Sequence, residues 1–538
     1  MKNLKTCIKG LGKMFRPVWK RVLVSVLTGF VRIAASLSFV WISKRLVDIA
    51  TGRNDADLRQ HICLMCIIMA VQVLVGLFAR WWESYNVVKT QNAMRYDSFS
   101  HVLRSEWNGL ERFSTGDTVN RLEEDIRVIV DLVCSRIPNL VVTVCQLLAA
   151  SIYLFKLAPN LLWVLLVLTA VAVVGSRLFF KTFRKLTEII RRKDSEVQQH
   201  MQENLLNRVL VLTLFGTERV LEKLGLLQKD IYDNTIKRLN YNAIARGFMS
   251  FGFTFGYGAA FIWSIVGIKD GTVTYGMMTA FLQLVGQVQR PIAELAANVP
   301  AFIHAMTSVE RLMELEELPL EAEEEPVVIA EAPALSLKDV SFAYDGTHTV
   351  LDRFSYEFEA GSLCAVMGPT GVGKSTLIRL LMGLLKPSSG TVEIGGIRAG
   401  AQTRCNFMYV PQGNTLMSGT IRENLLLANA GADEDMMRRA LETAAADFVF
   451  SLPDGLDTRC GEEGAGLSEG QSQRISIARA LLQKGSVLIL DEATSSLDSE
   501  TEKRLLDNLF NEYHGRKTII FITHRDAVGK ACDKVLKM

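Results

Sequence analysis

The residues with the clearest chemical potential lie at 368–376. Gly368, Pro369, Thr370, Gly371, Val372, Gly373, Lys374, Ser375 and Thr376 follow the strand-like run SLCAVM and lead into the apolar helical run TLIRLLMGLL. Glycines let a backbone curl so that successive N–H groups point inward at phosphate oxygens. The following helix N-terminus adds partial positive charge at the same spot. Lys374 can reach the β- and γ-phosphates of a nucleotide, and the Ser375 hydroxyl suits a Mg²⁺ ligand position. Further along, VLILDE is an apolar strand ending in Asp491 and Glu492. Asp491 suits the Mg²⁺ shell, and Glu492 is placed to orient or deprotonate an attacking water. Asp-Glu also closes ordinary strands; its place downstream of a phosphate loop makes the catalytic reading dominant.

Between these two motifs, LSEGQSQRISIARALL (Leu467–Leu482) resembles the signature of ABC ATPases. The resemblance extends outward. Tyr344 in VSFAYDG resembles the aromatic that stacks on adenine, and Gln412 in YVPQ the loop glutamine that touches Mg²⁺. His524 in FITHR resembles the switch histidine at the γ-phosphate, and SSLD (Ser495–Asp498) the loop across the dimer seam. SGTIRENL (Ser418–Leu425) and GEEGAG (Gly461–Gly466) look like segments that face coupling helices. In the other half, STGDTVNRLEEDI (Ser114–Ile126) and NRVLVLTLFGTERV (Asn207–Val220) resemble the two coupling loops, and ERLMELEE (Glu310–Glu317) the run out of a sixth membrane helix.

Nearly the whole chain shares the resemblance, which implies a half-transporter of the exporter class using ATP and Mg²⁺. It implies that Ser468, Gly470 and Gln471 face the γ-phosphate held by a partner's phosphate loop, so the chain must pair with itself or a relative. Concentrated negative charge clamped by N–H dipoles from both sides is the physical basis. Glu469 departs from the pattern. It either lowers affinity or points away; a working site is expected, with a tuned site in a heterodimer as the alternative. The chain also stops fourteen residues after His524, so the ATP-binding domain is expected to be short at its C-terminus.

These motifs need elements to hold them. Alternating short β-branched and helical runs from Leu335 onward imply a parallel α/β sheet flanked by helices and carrying the phosphate loop; the resemblance adds a helical subdomain for the signature. The preceding half is oily. Charged residues are only 22% of the 538-residue chain and the mean hydropathy is positive. Six stretches approach the roughly 20 apolar residues a bilayer crossing needs: Val22–Ile42, Ile62–Trp81, Asn139–Phe155, Leu161–Phe180, Phe248–Ile268 and Tyr275–Ala297. The expected organisation is an interfacial amphipathic helix (1–20), an all-α six-helix transmembrane domain (21–313), an acidic linker (314–334) and the ATP-binding domain (335–538). Basic residues such as Lys181, Arg184 and Arg191 crowd the long polar segments near 83–136 and 181–246. Their bias places these segments, and the ATP-binding part with them, in the cytoplasm; the expected setting is a multi-pass protein of a bacterial inner membrane.

In the sixth span, Gln283, Gln287, Arg290, Glu294 and Asn298 fall within an arc of about 80° at 100° per residue. Polar groups facing lipid are costly, so this stripe either lines a substrate path or ties helices and subunits together. Arg32, mid-span, either faces a cavity, snorkels or pairs with a carboxylate. Cys63 and Cys66 have metal-like spacing, but their apolar setting predicts buried small hydrophobes.

A net charge of +3 without a concentrated basic face argues against nucleic acid, and six apolar spans exclude a soluble repair or translation factor. The function expected is ATP-driven export of a lipid, drug-like amphiphile or peptide. A regulatory or nucleotide-gated channel-like subunit is the alternative, disfavoured by Glu492.

Overall fold

The computed structural model describes residues 4–177, 180–344, 348–461 and 466–538. The chain forms two compact units. One comprises 1–100 with 115–317, the other 101–114 with 318–538.

The first unit is helical. Inside a bilayer, the backbone must satisfy its own hydrogen bonds, and a helix does so locally. After α1 (Leu4–Phe15) come α2 (Trp19–Ala50), α3 (Leu58–Leu103), α4 (Thr115–Leu157), α5 (Pro159–Arg177), α6 (Phe180–Leu206), the short α7 (Arg208–Thr213), α8 (Thr217–Lys269) and α9 (Tyr275–Glu316). Helices α2, α3, α4 and α8 are long and apolar enough to cross a membrane, and α5 adds a shorter apolar stretch, Pro159–Gly175. With α9, which carries the polar stripe, these helices coincide with the stretches read as spans, residues 178 and 179 of the expected Leu161–Phe180 stretch lying outside the described residues. At 1.5 Å per residue, the 53 residues of α8 reach about 80 Å, so its polar part continues well past a bilayer without a break.

Packing in this unit joins α2, α4, α5, α8 and α9 around Val40, Leu154, Leu165, Ala260, Phe281 and Leu284. Close approach is local and specific. Gly276 at the start of α9 lies so near α2 that a Cβ there would overlap the Lys44 carbonyl oxygen, and its N–H donates to Asp48 Oδ1 at 3.2 Å. A second cluster joins Met14 and Val18 to Ile126, Ile129, Val309 and Leu312. The apolar face of α1, expected to lie in the interface, is thus spent on protein at Met14. At the far end of α9, Arg311 bridges Asp117 and Asp125 at 2.6 and 3.1 Å, fastening α9 to the start of α4.

One expectation fails here. Cys63 and Cys66 are exposed rather than buried, because the apolar window of α3 has no buried residue within the chain. Their surroundings are apolar through composition, not through packing.

The second unit is built on two sheets. The antiparallel one runs β2-β1-β4-β5, using β1 (Leu335–Ala343), β2 (Thr349–Phe358), β4 (Ser389–Ile394) and β5 (Ile397–Arg398). The parallel one runs β9-β3-β8-β7-β6, with β3 (Leu363–Met367), β6 (Phe407–Val410), β7 (Val487–Asp491), β8 (Thr518–Ile522) and β9 (Lys534–Lys537). Every residue of β7 and β8 is buried, as expected for parallel strands covered on both faces. Helix α10 (Lys374–Leu381) follows β3, α11 (Glu469–Leu481) precedes β7, and α12 (Ser499–Tyr513) lies between β7 and β8. The ladder pairs Ile522 with both Asp491 and Val366. The carboxyl ends of β3, β7 and β8 therefore finish level, which is where open α/β sheets bind ligands.

The segment 101–114 belongs to this unit by its contacts. Glu106 N–H donates to Pro319 O and Glu321 N–H to Arg104 O, each at 2.9 Å. Glu111 pairs with Arg379 at 2.9 Å, Glu106 with Lys386 at 2.7 Å, and Glu321 with Arg404 at 2.6 Å. Arg404 holds the Glu321 carboxyl below the usual carboxylate range.

Candidate functional site

The level strand ends gather most of the expected residues around one cavity of 360 Å³. Its walls include Tyr344, Lys374, Gln412, Asp491, Glu492 and His524, with Thr370, Gly371, Gly373, Ser375 and Thr376 from the loop. The loop closes because Gly371 and Gly373 adopt φ of 87° and 110°, values that exclude most side chains. Gly373 caps α10, and a Cβ there would meet Val350 Cγ1 at 3.0 Å. Lys374 Nζ donates to the carbonyls of Gly368 and Pro369 at 2.6 and 3.2 Å. The ammonium thus props the curled loop from within. Val372 packs near Gly368, which itself abuts the Met538 carbonyl.

Glu492 sits just beyond β7 at φ 49°, anchored by its N–H to Ile522 O at 3.0 Å. Its two oxygens are separately held. Gln412 Nε2 donates to Oε2 at 2.6 Å, and His524 Nε2 lies 3.0 Å from Oε1. The same imidazole nitrogen is 3.1 Å from Lys374 Nζ. Unprotonated, it accepts from the lysine; protonated, it donates to the glutamate.

Asp491 is buried, and Tyr409 OH donates to its Oδ2 at 3.4 Å. Burial and then the neighbouring Glu492 push its carboxyl above the ordinary aspartate value. Burial and Asp491 likewise push the Tyr409 hydroxyl up. Two carboxylates this close leave room for added positive charge. Asp491, the Ser375 hydroxyl and the Gln412 amide oxygen form a hard-oxygen set that fits a small divalent cation. Among the described residues no cluster of three or more His, Cys, Asp or Glu forms a self-sufficient metal cage.

Tyr344 is half-exposed at the cavity rim and stands edge-on to Phe342 at 5.0 Å. Its hydroxyl is 3.2 Å from Thr376 Oγ1 and accepts from Arg379 NH1 at 3.0 Å. Arg379, which also holds Glu111 and lies 5.5 Å from the Trp107 ring centroid, went unnoticed in the sequence. Its partner lies 268 positions away, and no local pattern marks it.

Ser468, Gly470 and Gln471 do not line this cavity. Ser468 caps α11 through a reciprocal box: its Oγ accepts from Gln471 N at 3.2 Å and its N–H donates to Gln471 Oε1 at 2.9 Å. Gly470 is forced by closeness, since a Cβ would come 2.9 Å from Ser496 O. Glu469 opens the helix on its exposed side. Asp498 caps α12, and backbone donation from Thr501 holds its carboxyl low. Of Gly461–Gly466, residues 462–465 lie outside the described residues.

The polar stripe of α9 divides. Arg290 pairs with Glu294 at 3.0 Å, and both line a cavity of 420 Å³ in the membrane unit. Gln287 Nε2 donates to Ser36 Oγ at 3.0 Å, and Arg136 NH1 donates to Asn298 Oδ1 at 3.3 Å. Gln283 Oε1 is buried without a partner among the described residues.

Comparison with known proteins agrees with this architecture. Residues 22–292 match the family model described as the ABC transporter transmembrane region, and residues 351–495 the one described as ABC transporter. An uncharacterized ABC transporter ATP-binding protein of Bacillus subtilis is 30% identical over 87% of this chain and 83% of its own length. The ATP-dependent lipid A-core flippase of Desulfotalea psychrophila is 29% identical over 97% of this chain and 91% of its own. The structure of a bacterial Atm1-family ABC exporter with ATP bound superposes with a TM-score of 0.80, at 24% identity, over 97% of this chain and 93% of its own. The chain belongs to the ABC transporter family. It is an integral membrane protein whose ATPase is coupled to transport.

Proposed function

We propose that this chain is half of a dimeric exporter, in which ATP hydrolysed between two nucleotide units drives an amphiphilic substrate out across a bacterial cell membrane. One observation carries the reading. The groups suited to hydrolysis converge on one cavity, while the Ser468 helix tip serves none of it and is left exposed. A second copy, or a relative, would bring its own Ser468, Gly470 and Gln471 to that phosphate. An exposed apolar turn, with Val209, Leu212, Leu214 and Phe215 (93% exposed), supports pairing as well, because such patches mark interaction surfaces.

In this reading Tyr344 stacks on adenine, and the N–H groups from Gly368 to Thr376 cradle the phosphates. Lys374 leaves its loop carbonyls for the β- and γ-oxygens. Ser375, Gln412 and Asp491 would hold Mg²⁺, which when bound neutralises charge on the phosphates. Glu492, steadied by Gln412 and His524, orients the attacking water and takes its proton; His524 then faces the γ-phosphate. Positioning and electrostatics supply most of the acceleration. Closure and release of the paired nucleotide units bias the membrane helices between two access states. The stripe from Gln283 to Asn298 borders the substrate path, at Arg290 and Glu294 directly. The basic inner segments support a cytoplasmic ATP-binding side.

The test is Glu492→Gln in lipid nanodiscs. It should retain ATP binding and lose turnover and transport by about 10²–10⁴-fold, the span of general-base catalysis. A channel-like subunit would still conduct. Absence of magnesium-dependent ATP turnover in the wild type, alone or with any partner, would sink the reading.

A further inference from the structure

The 420 Å³ cavity of the membrane unit holds more hydrogen-bond donors than the protein uses. Six polar side chains reach it: Arg32 and Ser36 from α2, Thr143 and Gln146 from α4, and Arg290 and Glu294 from α9. Three are committed. Ser36 accepts from Gln287 at 3.0 Å, and Arg290 pairs with Glu294 at 3.0 Å. The Arg32 guanidinium, the Thr143 hydroxyl and the Gln146 amide have no hydrogen-bond or ionic partner among the described residues. The wall therefore carries two cations against one anion, and its unspent groups are mainly donors.

An unpaired arginine within a span is costly and calls for a partner. The carboxylate of Glu83 is not that partner. It borders a separate cavity of 30 Å³, which Arg32 also touches, and it accepts a hydrogen bond from the Ser135 hydroxyl. That smaller space suits a water molecule, not a ligand. In the larger one, planar guanidinium donors match the paired oxygens of carboxylate or phosphate. Ile33 and Pro291 complete the wall with apolar surface.

We propose that this cavity binds the oxyanion head of an amphiphilic substrate, a phosphate or carboxylate held by Arg32 with Thr143 and Gln146. Arg290 contributes once the anion competes for it with Glu294. This rests on the export reading for its role in transport, but binding itself does not. The substrate selected is anionic in preference to neutral or cationic.

The experiment uses the full-length protein in phosphatidylcholine nanodiscs without nucleotide. Binding of dodecyl phosphate, dodecyl maltoside and dodecyl trimethylammonium is measured by calorimetry. Dodecyl phosphate should bind at least tenfold more tightly than the other two. Arg32→Gln should remove that margin and Arg32→Lys restore most of it, at matched melting temperatures, while Glu83→Gln keeps it. Doping the discs with phosphatidylglycerol competes if the natural head belongs to a lipid; glycerol phosphate competes if a soluble anion suffices. Either result supports the site. Equal binding of all three probes, or identical losses in Arg32→Gln and Glu83→Gln, overturns it; the latter would make Arg32 a tie between helices. ATPase stimulation is then read on the same samples. Stimulation by neutral or cationic probes, with no Arg32-dependent binding, refutes the anion site and leaves export standing. Anion-selective binding without any stimulation upholds the site and counts against export.

Discussion

Gln412 Nε2 donates to Glu492 Oε2 at 2.6 Å, the shortest restraint on the carboxylate proposed to handle the attacking water. A hydrogen bond to a charged group contributes about 1.5–3 kcal/mol. Gln412→Ala should therefore lower kcat by about 10- to 100-fold through misplacement of Glu492. Steady-state ATPase assays that separate kcat from KM provide the check. An unchanged kcat would mean that the contact has no part in turnover.

Asp491 trades stability for chemistry. Its folded carboxyl titrates above the ordinary 3.8 because burial and Glu492 disfavour the charged form. The folded state therefore binds the proton more tightly, and stability falls as pH rises from that value through the folded one. At neutral pH the penalty is present in full. Asp491→Asn should remove it, raising the melting temperature of nucleotide-free protein by about 2–4 °C for each kcal/mol relieved. Magnesium-dependent turnover should meanwhile be lost. Thermal unfolding at neutral and acidic pH decides the matter: the gain must shrink in acid.

Arg379 links the nucleotide rim to segment 101–114 through Tyr344 and Glu111, at 3.0 and 2.9 Å. Groups sharing a network couple by about 0.5–3 kcal/mol. A double-mutant cycle with Glu111→Ala and Arg379→Ala, read on ATP affinity, should show coupling of about 0.5 kcal/mol or more. Trp107 reports independently, since the fluorescence change it makes on ATP binding should vanish in Arg379→Ala. Strict additivity would rule the link out.

Gly276→Ala should loosen the junction of α2 and α9, because the added Cβ overlaps the Lys44 carbonyl oxygen. Overpacking of this kind costs about 1–3 kcal/mol. Gly286→Ala, which meets nothing within 4 Å, is the control. Thermal stability in detergent should fall for the first and hold for the second.

That the 368–376 loop and the Asp491–Glu492 strand end would meet was legible, because each packs its residues into a short run, and both line one cavity. The helical membrane half was legible from composition, with four helices long and apolar enough to cross a bilayer and a shorter apolar stretch at Pro159–Gly175. What escaped was pairing across distance. Periodicity put Gln287, Arg290 and Glu294 on one face of α9, but it could not say that Ser36 would occupy Gln287, or that Thr143 and Gln146 would face Arg290 across a cavity. Arg379 was invisible for the same reason. Cys63 and Cys66 misled because an apolar neighbourhood in sequence indicates burial only where another helix covers it, and α3 has no such cover.

The attachment of 101–114 to the nucleotide unit bears on how this molecule can be dissected. A fragment cut at Leu335 would leave Arg379, Lys386 and Arg404 bereft of Glu111, Glu106 and Glu321. Such a soluble piece would present three bare cations on a surface that is neutralised in the intact chain, and would adhere to acidic membranes or polyanions for reasons unrelated to its work. Restoring 318–334 to the fragment and supplying 101–114 as a separate peptide should return all three partners.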